Sequence, residues 1–436
     1  MSSTSTDLGE SVPVPAAGAE DAQADDEGVA AARTVEATSV AAAEATAGRT
    51  AAPGLPLAGW FAAARAAFRP AAPAVLGYLA IRAIGFVVMW GMVRGARRPT
   101  TLPQLLGSWD GKWFLRLAND GYDHAVRILP NGDPKQSTLA FFPGYPFLVR
   151  WLGALPGMHN LSAAVLITLI SGAVAAWGVF EVGRSISGSD RVGTALALLW
   201  AVAPGSVVLQ MAYSEALFTA VAAWALVAML RQKWLTAGVL TFAAGLVRNT
   251  GLALVAALAV AALIATPREQ DRLRRWAAVA LSSLSTVGFL LWVGIQAHRL
   301  DGWFWLQDRA WGLSFDGGIG TFGKVSHFLV TDGNVYYSLT ALVVVATLLL
   351  FGWSFAERIP LPLRVYTTGV VILALGSSGF FNSKPRFLLP AFLLAYPLAV
   401  LLARVRLRVQ AALFPVLGMT AVWYGTYVMT ITGSNP

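Results

Sequence analysis

Cysteine is absent from the 436 residues, which excludes disulfides, thiolate metal sites and a cysteine nucleophile. Charge is scarce. Only 13% of the side chains are Asp, Glu, Lys or Arg, against about 25% in soluble proteins. Histidine is rarer still: His124, His159, His298 and His327 stand alone, no two at a metal-binding spacing. No metal site is expected from them. Apolar side chains fill the gap. They make up 56% of the chain, the mean hydropathy is +0.61, and long apolar runs recur to the C-terminus. An ordinary soluble protein is excluded, and an all-α polytopic membrane protein is indicated.

The formal charge of +9 conceals two unlike parts. Residues 1–58 hold nine acids against Arg33 and Arg49, a net −7, so the remainder carries +16. That first segment is Ala, Ser, Thr, Glu and Asp with few large apolar side chains, and it cannot support a core of its own. It lacks the basic start and apolar run of a cleaved signal peptide. A disordered cytoplasmic tail is expected over 1–58, and a membrane domain over 59–436. The basic remainder fits the positive-inside rule and anionic lipid, not nucleic acid.

Spans are expected over about 75–93, 161–183, 192–209, 215–230, 276–297, 335–353, 365–381, 387–403 and 411–431. Arg82, inside the first, should face protein rather than lipid. The stretch 234–265 is too long for one span and short for two, and Arg248-Asn249-Thr250-Gly251 interrupts it. Charge decides between them. Read as a hairpin, it puts Arg184, Arg191, Arg231, Lys233, Arg272, Arg358, Arg404 and their basic neighbours on one side, the cytoplasmic one. Read as a single helix, it sends everything after it to the other side. The hairpin gives about eleven spans. Arg94, Arg97 and Arg98, just outside the first span, do not fit the scheme; phosphate binding or headgroup contact would each account for them.

Two long polar excursions remain outside, 94–155 and 298–334, with a shorter one at 377–386. The first carries S-W-D-G-K-W-F-L-R-L-A-N-D-G-Y-D-H from Ser108, then A-F-F-P-G-Y-P from Ala140. Trp109, Trp113 and Leu117 recur at i, i+4 and i+8, which predicts a helix that ends at Asn119-Asp120-Gly121. With one apolar face and a high Trp content, it should lie in the interface. Asp110 then falls in its first turn, where unpaired N–H groups favour an ionised carboxylate. It would be an N-cap or a reactive acid.

Its company bears on the choice. Glu215 in Y-S-E-A-L-F sits at the expected mouth of a span, where a carboxylate marks function. Arg248, at the broken helix, needs an anion, and either Glu215 or a ligand phosphate would serve. Lys384 and Arg386 flank Pro385 and would either snorkel to headgroups or join an anion site. Trp109, Trp113, Phe141, Phe142 and Tyr145 would be interfacial, or would stack on sugar or lipid. Tyr213 precedes Glu215. Asp120, Asp123 and His124 are expected to be solvated, with His124 a further candidate.

W-D-x-x-x-F-L-x-x-A-x-x-G-Y (109–122), A-F-F-P-x-Y-P (140–146), Y-S-E-A-L-F (213–218) and G-L-x-R-x-x-G (245–251) occur in that order. Together they resemble the PIG-V-type mannosyltransferases of the GT-C class, in an actinobacterial-type form. K-P-R-F-L-L-P (384–390) is a weaker echo. The chain departs from the eukaryotic pattern at Gly144, where a larger residue is common, and in its acidic tail. The resemblance implies a GT-C-like bundle, a polyprenyl-phosphate-mannose donor and a lipid-linked glycan or other extracytoplasmic acceptor. It places Asp110 at the catalytic acid position. It implies no cofactor beyond the lipid-linked donor, and a plasma (inner) membrane location with the site on the extracytoplasmic face. The chemistry is self-consistent, because a phosphate leaving group needs no protonation and one general base suffices. Another GT-C sugar transferase and a lipid-linked sugar transporter are the competing readings. A transporter would place charge at mid-membrane and show repeated halves, and neither is seen in the sequence.

Overall fold

The computed structural model describes residues 65–66, 68–95, 100–265, 269–331 and 335–435. The expected tail, 1–58, and Arg97 and Arg98 lie outside them. The segment from Ala67 onward is helical, and its only β pairing among the described residues is two isolated antiparallel bridges.

Among the described residues five helices are long and apolar enough to cross a membrane: Arg69–Gly95 (whose α-helical part is α1, Ala72–Gly95), Asn160–Ser187 (α5), Asp271–Gln296 (within α10, Glu269–Gln296), Val335–Ser354 (α13) and Leu407–Thr432 (containing α17, Leu407–Tyr427). Phe381–Phe387 and Phe392–Leu402 would make a sixth, bent by 79°. They include α15 (Lys384–Phe387) and α16 (Tyr396–Leu402). Four apolar helices are shorter: α7 (Glu215–Leu230), α8 (Trp234–Val247), α9 (Gly251–Ile264) and α14 (Leu361–Leu375). The chain is a multi-pass membrane protein, but the expected tally of about eleven full spans is not what the helices give. Where 192–209 was expected to run through, α6 (Asp190–Ala201) stops before Pro204-Gly205, and a 3-10 turn takes over at Ser206–Gln210. Pro390 likewise falls in the non-helical break that splits the expected span at 387–403. The outward faces keep large apolar side chains exposed, among them Leu76, Leu284, Ile295 and Leu349, as lipid contact requires.

Residues 234–265 reverse direction at Arg248. Gly238 of α8 lies against Ala278 of α10, and Gly245 lies against Ser285 and Thr286, so α8 and α10 run the same way. At the far end of α9, the Ala262 and Ala265 carbonyls accept from Arg275, at 3.3 and 3.0 Å. That end is therefore beside the start of α8, and the two helices form a hairpin closed by Arg248-Asn249-Thr250.

Arg82 is buried and faces protein. It donates to the Ser206 carbonyl at 2.7 Å and the Ala201 carbonyl at 2.5 Å, fixing the turn that follows α6. Gly205 in that turn has φ +82°, and a Cβ there would meet the Arg386 backbone nitrogen at 2.7 Å. Only glycine meets both demands. The first excursion supplies α2 (Leu102–Leu106), α3 (Asp110–Asp120) and α4 (Gly144–Gly153), and the second supplies α11 (Gly302–Trp311) and α12 (Ile319–Val330). At Gly144 a side chain would meet the Leu246 carbonyl at 2.9 Å, so the departure from the eukaryotic pattern coincides with a close approach of α4 to the end of α8.

Candidate active site

α3 begins on a sharp turn. Its N-cap is Trp109, at φ +50° and ψ −117° with no capping side chain. A bulky residue there is a backbone outlier of the kind that clusters at functional sites. Tyr213 holds the turn from the side. Its hydroxyl accepts from the Asp110 N–H at 3.3 Å and donates to the Ser108 carbonyl at 3.4 Å. The strand-like stretch before α7 is pinned in turn, because Ala212 N–H donates to the Leu106 carbonyl at 2.9 Å. Asp110 is thus the first helical residue and not its cap, which leaves its carboxylate free for other partners.

Its partner is Arg386, 276 positions away. Arg386 Nη1 lies 2.6 Å from Asp110 Oδ2. The guanidinium is 3% exposed and sits between the rings of Tyr213 (5.1 Å) and Phe387 (4.9 Å). Behind it Glu215 is fully buried, 2.8 Å from Arg248 Nη1 and 3.7 Å from Arg386 Nη1. Arg248 also donates to Ser214 Oγ at 3.2 Å. Two carboxylates and two guanidiniums therefore interleave with formal charges that cancel. The hydrogen-bonding capacity is not used up. Both Glu215 oxygens, Arg248 Nε, and Arg386 Nε and Nη1 are buried without an aligned hydrogen-bond partner. Such groups call for a functional account. Guanidiniums with unused N–H groups suit phosphate oxygens.

These side chains border a cavity of about 180 Å³. Its polar lining includes Asp110, Arg248, Asn249, Thr250, Gln307 and Arg386, and its aromatic walls include Phe114, Phe141, Trp303, Trp311 and Phe387. Trp113 stacks on Phe141 at 5.9 Å and meets Trp311 edge-on at 5.0 Å. The buried Trp311 indole N–H has no acceptor. Among the described residues no three of His, Asp or Glu gather as a metal site would need.

The other candidates are placed as follows. Lys384 is buried, but its ammonium turns toward the end of α14. It donates to the Ala374 carbonyl (2.8 Å), Ser377 Oγ (2.9 Å) and the Ser377 carbonyl. That is a cation on a helix C-terminus, and it does not line the cavity. Neither Lys384 nor Arg386 snorkels, since both are buried. Tyr145 is enclosed between α4 and α5, its hydroxyl bound to the Ala164 carbonyl and Thr168 Oγ1, each at 3.0 Å. His124 is on an exposed turn away from the cavity. Trp109 packs on the core with its ring outside the lining. Asp123 is a correction to the expected solvated acid. It is partly buried and accepts from Thr138 N–H (2.9 Å), Ser137 Oγ (2.8 Å) and Arg116 (2.7 Å). Burial opposes its ionisation, yet these bonds outweigh that and hold the carboxyl below its usual range. Gln307, Trp311 and Asn249 are not among the site residues expected from the sequence, where nothing in their spacing distinguishes them.

This geometry is that of a multi-pass helical membrane protein with an acid–guanidinium centre beside a small aromatic cavity. Residues 99–285 match the family described as mannosyltransferase (PIG-V). That stretch contains Asp110, Glu215 and Arg248, while Lys384 and Arg386 lie beyond it. The GPI alpha-1,6-mannosyltransferase 2 of Mus musculus is 30% identical over 156 residues, 34% of this chain and 29% of the mouse protein. Its Homo sapiens counterpart is 29% identical over 157 residues, with the same shares, 34% and 29%. The chain thus spans less than a third of the length of these curated relatives. Among solved structures, ArnT from Cupriavidus metallidurans bound to undecaprenyl phosphate aligns with a TM-score of 0.47 and 17% identity, covering 79% of this chain and 63% of that one.

Proposed function

We propose that the protein is an inverting glycosyltransferase that moves mannose from a polyprenyl-phosphate-mannose donor to an extracytoplasmic glycan acceptor. The observation that carries this reading is the contact of Asp110 with Arg386 at the edge of the cavity. It puts a candidate base and a candidate phosphate ligand side by side. Asp110 takes the proton of the acceptor hydroxyl as that oxygen attacks the anomeric carbon. The bond from that carbon to the phosphate oxygen breaks, its electron pair leaves with the phosphate, and the configuration inverts. Arg386 and Arg248 meet the charge that develops there. A donor phosphate competes with Asp110 for the same Arg386 guanidinium, so donor binding frees the carboxylate to act as base. The family match over residues 99–285 and the undecaprenyl phosphate named for ArnT accord with the donor class.

The test is Asp110→Asn in proteoliposomes supplied with polyprenyl-phosphate mannose and a membrane glycolipid extract. Asp110 caps no helix N–H and is 27% exposed, so the variant should fold, with a melting temperature lowered by its lost pair with Arg386, while loss of a general base costs on the order of 10²–10⁴ in rate. Transfer above about a tenth of the wild-type rate, far short of that loss, removes Asp110 from the role.

A further inference from the structure

The small cavity shares part of its lining with a larger one. A cleft of about 620 Å³ is bordered by α11, by the chain that follows it and by the hairpin break. Asn249, Trp303 and Gln307 belong to both linings. A ligand in the cleft that reaches past these shared residues comes to the cavity that Asp110 borders. The volume falls within the range of roughly 300–1,000 Å³ typical of ligand sites.

The cleft chemistry is selective. Its charges are largely cancelled from within. Arg299 forks onto Asp301 at 2.6 and 2.8 Å and lies 4.6 Å over the Trp305 ring. Arg309 reaches Asp133 at 3.8 Å. Asp308 forms no ion pair among the described residues, and the lining's formal charges, Arg299 and Arg309 against Asp301 and Asp308, cancel, so the cleft carries no excess positive charge to favour an anionic ligand. Phe304 and Phe315 line the cleft with their rings in the open, 58% and 62% exposed. Hydrogen-bonding groups stand among these rings: the Asn249 amide, the Gln307 carbonyl oxygen and the Asp308 carboxylate. Gln307 is held in place because its amide N–H donates to the Ala140 carbonyl at 3.0 Å, beside Trp303 Nε1 at 3.2 Å. Open aromatic faces attract the electropositive C–H face of a pyranose ring, and the amide and carboxylate groups meet its hydroxyls.

We infer that this cleft is the acceptor subsite, and that it takes an uncharged oligosaccharide whose terminal hydroxyl reaches Asp110. The inference rests on the transferase reading of the neighbouring cavity. The test uses the full chain in nanodiscs, titrated with neutral manno-, gluco- and galacto-oligosaccharides and with a sugar phosphate, read by tryptophan fluorescence. At least one neutral series should give saturable quenching, tighter than the sugar phosphate. Asp308→Ala and Phe304→Ala should weaken it tenfold or more, and Leu313→Trp, which fills the cleft, should abolish it. Asp110→Asn should leave it unchanged while stopping transfer. Absence of quenching by every neutral series overturns the subsite, as does equal binding by all three cleft variants or preference for the sugar phosphate. Failure of the wild-type protein to transfer mannose from the polyprenyl-phosphate donor overturns the transferase reading instead, so the two failures are separable.

Discussion

Neutralising Glu215 should damage the fold more than the chemistry. The carboxylate is fully buried, 2.8 Å from Arg248 and 3.7 Å from Arg386. Glu215→Gln keeps its shape and leaves two guanidiniums facing one ionised acid, Asp110. Removing one partner from a buried pair typically costs about 3–5 kcal/mol. Arg248 is 16% exposed and can recover some solvation, so the lower end, about 3 kcal/mol, is expected. Arg248→Gln alone should cost less, because Arg386 still faces Glu215. In the double variant the Asp110–Arg386 pair stands alone, with charge again balanced, and much of the loss should return. Thermal unfolding in detergent, followed by size-exclusion fluorescence, measures the cycle. Residues in such contact couple by about 0.5–3 kcal/mol. If the two single changes add without coupling, or if Glu215→Gln melts like the parent, the interleaved charges do not stabilise one another and the argument fails. Donor KM separates the remaining role of Arg248: a phosphate ligand raises it in Arg248→Gln, whereas a purely structural partner does not.

Other perturbations address the scaffold. Lys384→Met should lower the melting temperature by freeing the Ala374 and Ser377 carbonyls, with donor KM unchanged in the protein that stays folded; Arg386→Gln should do the reverse to KM. Gly205→Ala forces a Cβ onto the Arg386 backbone at a positive φ and should cut turnover more than it shifts unfolding. Asp123 ionises more readily folded than unfolded, so the stability it contributes is present above the ordinary carboxylate range, near pH 4, and is lost as pH falls through its lower folded value. Limited proteolysis of the 123–138 loop across that window should show protection vanish on acidification, and Asp123→Asn should remove the pH dependence.

Much of this arrangement was legible, for reasons that differ by element. The i, i+4, i+8 apolar spacing from Trp109 marks α3, and Asn119-Asp120-Gly121 marks its end at Gly121, where φ is +81°. The reversal at Arg248 was readable from charge, because a single helix would have scattered the basic loops across both faces. Glu215 was less transparent. A carboxylate at a helix start reads as a mouth group until the two arginines that enclose it are placed. Lys384 and Arg386 are two residues apart and look alike in sequence, yet on so short a helix they point to different neighbours. Tyr145 belongs to a motif, but a hydroxyl that finds a carbonyl in the core leaves no mark in the sequence. Full-length spans were over-read at 192–209 and 387–403 because hydropathy averages across prolines that end helices.

The Asp110–Arg386 contact also bears on how the chain can be divided. The stretch that matches the mannosyltransferase (PIG-V) family stops at residue 285, so a protein cut there would retain Asp110, Glu215 and Arg248 but lose Arg386. Two acids would then confront a single guanidinium, and Gly205 would press on nothing. Such a fragment would repel itself at its own centre. Grafting the matched stretch onto another helical frame would meet the same obstacle unless the recipient supplied a cation from its far end. The transferable module is therefore the pair of distant segments together, and swaps between relatives should exchange 99–285 and 381–390 as one unit.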